Sequence, residues 1–437
     1  AHWAEHKEIS QNFSILKYEP QLWRMGACRP TIDGTIVGFE KKGKDTYALI
    51  DTSDVHTLMI AAAGTGKTTF FLEPNIEYCC AAGMSFISTD TKGDIYRNCG
   101  YVAAKRYGYK ISVIDLRNPL KSDGFNLLHL VKKYMDEYKN NPLNISAKAK
   151  SERYAKIVAD SIIAADGDKY GANTYFYDAA KGLIAAQILI IAEYGNDKEC
   201  HIVSVLKLMI ELLEAKPQKK SQLKSETYFA DLIKLLPPEH KARWLSGAAI
   251  NNADQAALSV ISTALSRLNS LIDTETEQIL CFNTAIDTET LCKEKCAVFI
   301  VLPEEDRTKY VIANLIIEQI SREIYHIADE NGGHLDKRIM IYFEEFGTMP
   351  PISGVEAMFS ALRSRSVSIV AIIQSFAQLE KNYGKQGAEI IVDNTQLMLF
   401  GGFAPGSSSA EKLSKDLGKQ TILTGSISKG NGGKNSG

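Results

Sequence analysis

The stretch from His56 to Thr69, His-Thr-Leu-Met-Ile-Ala-Ala-Ala-Gly-Thr-Gly-Lys-Thr-Thr, constrains the fold of this chain more than any other. Leu58-Met59-Ile60 reads as a short buried strand, Ala61 to Gly66 as a tight loop of small residues, and Lys67-Thr68-Thr69 as the opening of a helix. Strand, loop and helix in that order are the context of a phosphate-binding P-loop. Backbone N–H groups of Ala62, Ala63, Gly64, Thr65, Gly66, Lys67, Thr68 and Thr69 then converge on phosphate oxygens, and the positive end of the helix adds attraction. Lys67 is placed to reach the β- and γ-phosphates, and the Thr68 hydroxyl to bind Mg²⁺. The full pattern begins with Gly, and here that position is Ala61. The alternative is an ordinary glycine-rich strand–helix turn.

Apolar runs at Thr35–Phe39, Tyr47–Ile50, Met84–Thr89, Lys110–Asp115, Ala297–Leu302, Arg338–Phe343, Ser368–Ile373 and Leu397–Phe400 read as further strands. Helical patterns separate several of them, at Phe70–Tyr78 (with a kink expected at Pro74), Ile95–Tyr107, Tyr310–Ala328 and Ala357–Arg365. Strands alternating with helices predict an α/β fold with a mainly parallel sheet and right-handed crossovers. Ligands in such sheets bind beyond the carboxyl ends of the strands. Asp90-Thr91-Lys92-Gly93-Asp94 lies at one such end, facing nucleotide or a neighbouring subunit, or forming a solvated turn.

From Val131 to about Ile286 the pattern is helical, with helices expected at Lys148–Ile163, Tyr177–Tyr194, Ile202–Ala215, Tyr228–Leu236 and Ala256–Ile272. Pro217 and Pro237-Pro238 punctuate them. An all-helical domain inserted into the sheet domain is expected, dividing the chain into 1–130, 131–286 and 287–424. The glycine- and serine-rich tail 425–437 reads as disordered. Four lysines between Lys216 and Lys224 could touch DNA or simply form a solvated loop.

Composition narrows the function class. With 45% hydrophobic residues the chain can build sizeable cores. A net charge of −2 gives no overall basic signature, so any nucleic-acid contact must be local or arise on assembly. The eight cysteines form no CxxC pair and no disulfide framework, which points to a reducing cytoplasm. No apolar run looks long enough to span a bilayer, since Gly182–Ala192 is short and interrupted by Gln187. His2-Trp3-Ala4-Glu5-His6 matches an inverted zinc-protease pattern, but at the extreme terminus and with no third ligand it is read as chance.

Arg338-Ile339-Met340-Ile341-Tyr342-Phe343 runs directly into Glu344-Glu345. Phosphoryl transfer needs one carboxylate to hold Mg²⁺ and another to orient the attacking water, both on a rigid strand end beside the P-loop. Gln374, at the tip of another strand, can sense the γ-phosphate. Arg363, supplied by a neighbouring subunit, can neutralise charge as an arginine finger. For each of these two the alternative is a surface or capping residue.

These motifs together resemble the cytoplasmic part of the type IV secretion coupling proteins, the TraG-like ATPases of conjugation, especially those of Gram-positive elements. The residues that carry the likeness are Thr89–Asp94, Val113–Pro119, Glu345-Phe346-Gly347-Thr348, Arg363-Ser364-Arg365, Gln374–Gly384 and Gly401–Pro405. The resemblance implies a RecA-like nucleotide-binding core with an all-helical insertion, ATP and Mg²⁺ as cofactors, and a homo-hexameric ring with sites between subunits. It implies recruitment of a relaxase carrying single-stranded DNA and contact with the ATPases and inner-membrane components of the secretion channel. It also places the protein at the cytoplasmic face of the bacterial plasma membrane, with an anchor absent from this chain. Carried over residue by residue, Lys67 and Thr68 contact nucleotide and metal, Glu344 and Glu345 are the acidic pair, Arg363 the finger and Gln374 the sensor.

Where the family has Asp, this chain has Glu344, whose extra methylene moves the carboxylate by about 1.5 Å, and Mg²⁺ demands near-octahedral geometry. With Ala61, this motivates a second expectation: a nucleotide-gated docking receptor with little turnover. A septal-type DNA translocase of related fold is a third.

Overall fold

The computed structural model describes residues 5–164, 174–212, 228–247, 249 and 254–418. The Lys216–Lys224 stretch, the 425–437 tail and residues 2–4 of the His2–His6 pattern lie outside the described residues.

Strands β1 (Ser14–Lys17), β2 (Thr35–Lys42) and β3 (Asp45–Asp51) form a small antiparallel sheet in the order β1-β3-β2. β1 carries no alternating signal, because all four of its residues are half-buried. The main sheet contains β4 (Thr57–Ala61), β5 (Ser85–Asp90), β6 (Lys110–Asp115), β7 (Cys296–Val301), β8 (Ile339–Phe343), β9 (Val367–Ile373) and β10 (Leu397–Gly402). Its order is β10-β4-β9-β8-β5-β7-β6, and every pairing is parallel.

Every residue of the five central strands is buried, which is why they read as unbroken apolar runs. Alternation survives in which face each side chain takes. Met59, Phe86, Phe299, Tyr342 and Ile372 share one core with residues of the helices Glu73–Ala82 and Asp94–Tyr107. Leu58, Ile60, Ile87, Ile300, Ile341 and Ile373 share the other with the helix Tyr310–Glu330 and the helical segment of the chain. Phe299, fully buried and edge-on to Phe86 at 5.4 Å, is the kind of side chain whose truncation to Ala costs about 3–5 kcal/mol.

The helix after the P-loop changes winding where the kink was expected. Thr68–Leu72 is a π-helical turn, with the Glu73 N–H donating to Thr68 O, and Glu73–Ala82 continues as α-helix. Pro74 has no N–H to give to the turn before it, so the change of winding falls at the residue preceding it.

The sheet stops at Asp115 and resumes at Cys296. Helices fill the interval, among them His129–Asn140, Ile145–Ala164, Thr174–Tyr194, Ile202–Leu212 and Asp254–Asn269. The outgoing and returning chains meet at a neck, where Gly124 and Thr284 form a single parallel bridge and the Asn126 N–H donates to Thr284 Oγ1 at 2.9 Å. Thr174–Tyr194 corrects one expectation. Its 21 residues are long and apolar enough to cross a membrane by length and composition, but 67% of its most apolar window is buried inside the protein. That length serves as the core of the helical segment, and Gln187, the polar interruption, is fully buried there.

Candidate functional site

The P-loop is shaped by its glycines and by the neighbouring strand. Gly64 and Gly66 take φ of 77° and 80°, a region side chains rarely adopt. A Cβ on Gly66 would also sit 2.4 Å from the Phe70 ring, so that exposed side chain would have to turn away. Thr65 Oγ1 donates to Ala62 O at 2.9 Å, and the Ala62 N–H to Gly402 O of β10 at 2.8 Å. Ala61, in place of the usual glycine, is matched across the sheet. A Cβ on Gly401 would lie 2.8 Å from the Ala61 Cβ, so the methyl lost from one strand makes room for the methyl gained on the other.

Lys67 extends back over the loop. Only 8% exposed, it donates to Ala61 O at 3.3 Å and to Glu345 Oε1 at 3.4 Å. Thr68 Oγ1 donates to Glu344 Oε1 at 3.0 Å. The acidic pair and the P-loop thus face each other directly, although β8 and β4 are not neighbours. β9 lies between them and delivers Gln374, whose Nε2 donates to Glu345 Oε2 at 3.2 Å.

The Asp90–Asp94 turn is part of this site rather than a solvated loop. Glu344 Oε2 accepts from the Thr91 N–H at 3.0 Å and from Thr91 Oγ1 at 3.1 Å, and the Glu344 N–H donates to Thr89 Oγ1 at 3.0 Å. Burial raises the Glu344 pKa and the nearby Asp90 adds to the rise, against the Thr91 and Thr68 hydrogen bonds. Asp90, fully buried, caps the following helix through the Tyr96 N–H at 2.9 Å. Thr89, Thr91, Gly401 and Gly402 escaped individual notice in the sequence, although the segments holding them carried the family likeness.

Arg363 is not brought to this cluster. It lies exposed before β9 whereas Gln374 follows it, and seven strand residues span about 23 Å at roughly 3.3 Å each. Arg365 is held by Asp329 at 3.1 Å and sits over the Tyr325 ring.

Thr68 and Glu344 present two hard oxygens 3.0 Å apart beside the buried Lys67 side chain, a donor set suited to a divalent cation on a polyphosphate. The family model for type IV secretory system conjugative DNA transfer matches residues 25–437. The chain belongs to that family. Among curated relatives of the family, the type IV secretion system-coupling protein VirD4 of Bartonella henselae (strain Houston 1) is 21% identical over 390 residues, covering 88% of this chain and 56% of that protein. The chain therefore spans little more than half the length of this relative.

Solved structures of the bacterial conjugative coupling protein TrwB are similar as well. The unbound TrwBdeltaN70 form gives a TM-score of 0.58 at 14% identity, covering 92% of this chain and 80% of that one. TrwB in complex with ADP and Mg²⁺ gives 0.60 at 13% identity, covering 92% and 83%. At such identities the likeness is one of fold: the α/β RecA-like P-loop core with an all-helical insertion, as expected from the sequence.

Proposed function

We propose that this chain is the coupling ATPase of a conjugative type IV secretion system, recruiting relaxase-bound single-stranded DNA and driving its transfer with Mg-ATP hydrolysis. The observation that carries the reading is the 3.0 Å contact between the Thr68 hydroxyl and the Glu344 carboxylate, with Lys67 at 3.4 Å from Glu345 beside it. The Ala62–Thr69 backbone holds the phosphates and Lys67 neutralises them. Thr68 and Glu344 would hold Mg²⁺, which would supply Lewis-acid stabilisation of charge on the phosphoryl group. Glu345 accepts a hydrogen bond from the attacking water, with its carboxylate oriented by Lys67 and Gln374.

Arg363 lies too far from its own P-loop to act there, so its role is that of a finger offered to the next subunit of a homo-hexamer. The division into 1–130, 131–286 and 287–424 belongs to the same reading, with the Gly124–Thr284 neck joining the helical domain to the core. So do the partners: the relaxosome and the channel's ATPases and inner-membrane components, met at the cytoplasmic face of the plasma membrane.

Hydrolysis of Mg-ATP with and without single-stranded DNA, for the parent and Lys67→Ala, tests this. The reading requires a DNA-stimulated rate in the parent that falls at least about a hundredfold in the variant; equal rates remove it. The occupied state of Glu344, with three hydrogen bonds from Thr68 and Thr91, favours a second reading, the nucleotide-gated docking receptor. Tight nucleotide binding with negligible turnover by the parent selects it.

A further inference from the structure

The helix Phe376–Asp393 follows Gln374 directly, and its first turns do more than pack. Its N-cap residue, Ser375, makes no side-chain cap. The amide of Gln378 takes over one residue further back, its Oε1 accepting the Gln374 N–H at 2.8 Å. One turn on, Asn382 Nδ2 donates to Gly347 O at 3.2 Å and to Met349 O at 2.8 Å, in the loop that leaves the acidic pair. Residues four apart share a helical face, so Gln378 and Asn382 hold both the sensor strand and the acidic loop from one surface. Gly347 is fitted to this arrangement, because a Cβ there would lie 2.1 Å from Gln378 Oε1. Tyr383 adds a stacked contact with Phe346 at 5.7 Å, and its hydroxyl accepts the Ile352 N–H at 3.2 Å.

We propose that Gln378 and Asn382 are positioning residues that lock Gln374 and the Glu345 loop into one rigid arrangement around the terminal phosphate. Gln378 acts through the backbone N–H of Gln374, and Asn382 through the carbonyls of Gly347 and Met349 in the loop after Glu345. The Gln374 side chain reaches Glu345 because its backbone is fixed by Gln378, and the Glu345 loop keeps its path because Asn382 holds two of its carbonyls. Asn314 Nδ2, from the helix Tyr310–Glu330, meets the same loop at Pro350 O and Pro351 O, at 3.2 and 3.3 Å, so two helices hold the loop. Catalytic geometry must be held to within a fraction of an ångström, which is the work of such supporting groups.

The inference rests on the hydrolysis reading above, and a double-mutant cycle tests it. Gln378→Met keeps the length and removes the acceptor. It should lower kcat by the same factor as Gln374→Ala, and the double variant Gln374→Ala/Gln378→Met should lose nothing more. The affinity for Mg-ADP should stay within about twofold of the parent, and Gln378→Glu, which keeps the acceptor, should recover most of the rate. Gly347→Ala, which drives a methyl against Gln378, should reproduce the loss and serves if Gln378→Met fails to fold. Losses that multiply in the double variant, or a parent-like kcat in Gln378→Met, overturn the clamp. A parent that hydrolyses no Mg-ATP overturns the hydrolysis reading instead. The clamp is then read from exchange of the Gln374 amide, whose N–H Gln378 accepts; Gln378→Met should accelerate it about tenfold, and unchanged exchange would contradict the clamp.

Discussion

The Thr68 hydroxyl and Glu344 Oε1 meet at 3.0 Å, while Glu344 Oε2 is held by both the backbone and the hydroxyl of Thr91. The longer carboxylate is thus fully used, bridging from β8 to the P-loop on one side and to the end of β5 on the other. An aspartate at this position would withdraw by about 1.5 Å and could not keep both contacts. Glu344→Asp is expected to lower Mg-ATP turnover by about tenfold or more, with a higher Mg²⁺ requirement. Steady-state kinetics across Mg²⁺ concentrations give the answer; a faster variant would contradict it.

Ala61 and Gly401 form a complementary pair across β4 and β10. Gly401→Ala places two methyl carbons 2.8 Å apart against a fully buried Ala61, an overpacking of about 1–3 kcal/mol. Combined with Ala61→Gly, the same substitution should be tolerated. Chemical denaturation of the two single variants and the double one should show recovery in the double; additive losses would sink the pairing.

Glu323, in the helix Tyr310–Glu330 and only 2% exposed, contacts Thr288 and accepts from Gln319 Nε2 at 2.9 Å. Burial, reinforced by Asp287 and opposed by Thr288, Gln319 and His129, pushes its pKa from 4.5 up to about 7. Between those values the folded state binds more protons than the unfolded one, so stability falls as pH rises through the window and stays lower above it. The slope is at most about 1.4 kcal/mol per pH unit. Glu323→Gln should remove it, giving a variant more stable than the parent at about pH 8 and similar to it near pH 4.5. Thermal denaturation across that range reads the crossing; parallel curves would refute the burial argument.

Arg363 stands at the far end of β9 from Gln374. Arg363→Ala should leave nucleotide affinity within about twofold of the parent and lower turnover only where subunits associate. Rates measured against protein concentration, in mixtures of Arg363→Ala with Lys67→Ala, separate the cases. A loss of turnover at dilutions where the parent is monomeric would place its effect within one subunit.

The parts of the site that could be read from the sequence are those contiguous in it. Lys67-Thr68 follows an apolar strand across a short glycine-bearing loop and Glu344-Glu345 closes another strand, so the residues around them announce both the strand and what stands at its tip. Thr91 and Gly401 could not be assigned roles that way. They reach Glu344 and Ala61 only because the sheet order brings β5 beside β8 and β10 beside β4, a fact that no local pattern encodes. Gln378 was hidden for a different reason: inside an amphipathic helix, a glutamine that holds a backbone N–H looks like any half-exposed polar residue. The same limit explains Thr174–Tyr194, where Asp178 and Lys181 break the apolar pattern before the run that starts at Gly182.

On the proposed reading, Lys67 and Thr68, at the start of the helix after the P-loop, and Glu344 and Glu345, just beyond β8, grip a single Mg-triphosphate, and Glu345 serves the chemical step rather than the binding one. Mg-ATP affinity and single-turnover hydrolysis, measured side by side for the parent, Glu345→Gln and Lys67→Ala, test it most directly. The account predicts that Glu345→Gln binds within a few-fold of the parent but hydrolyses at least about a hundredfold more slowly, whereas Lys67→Ala loses both. Parent-like hydrolysis by Glu345→Gln would contradict it.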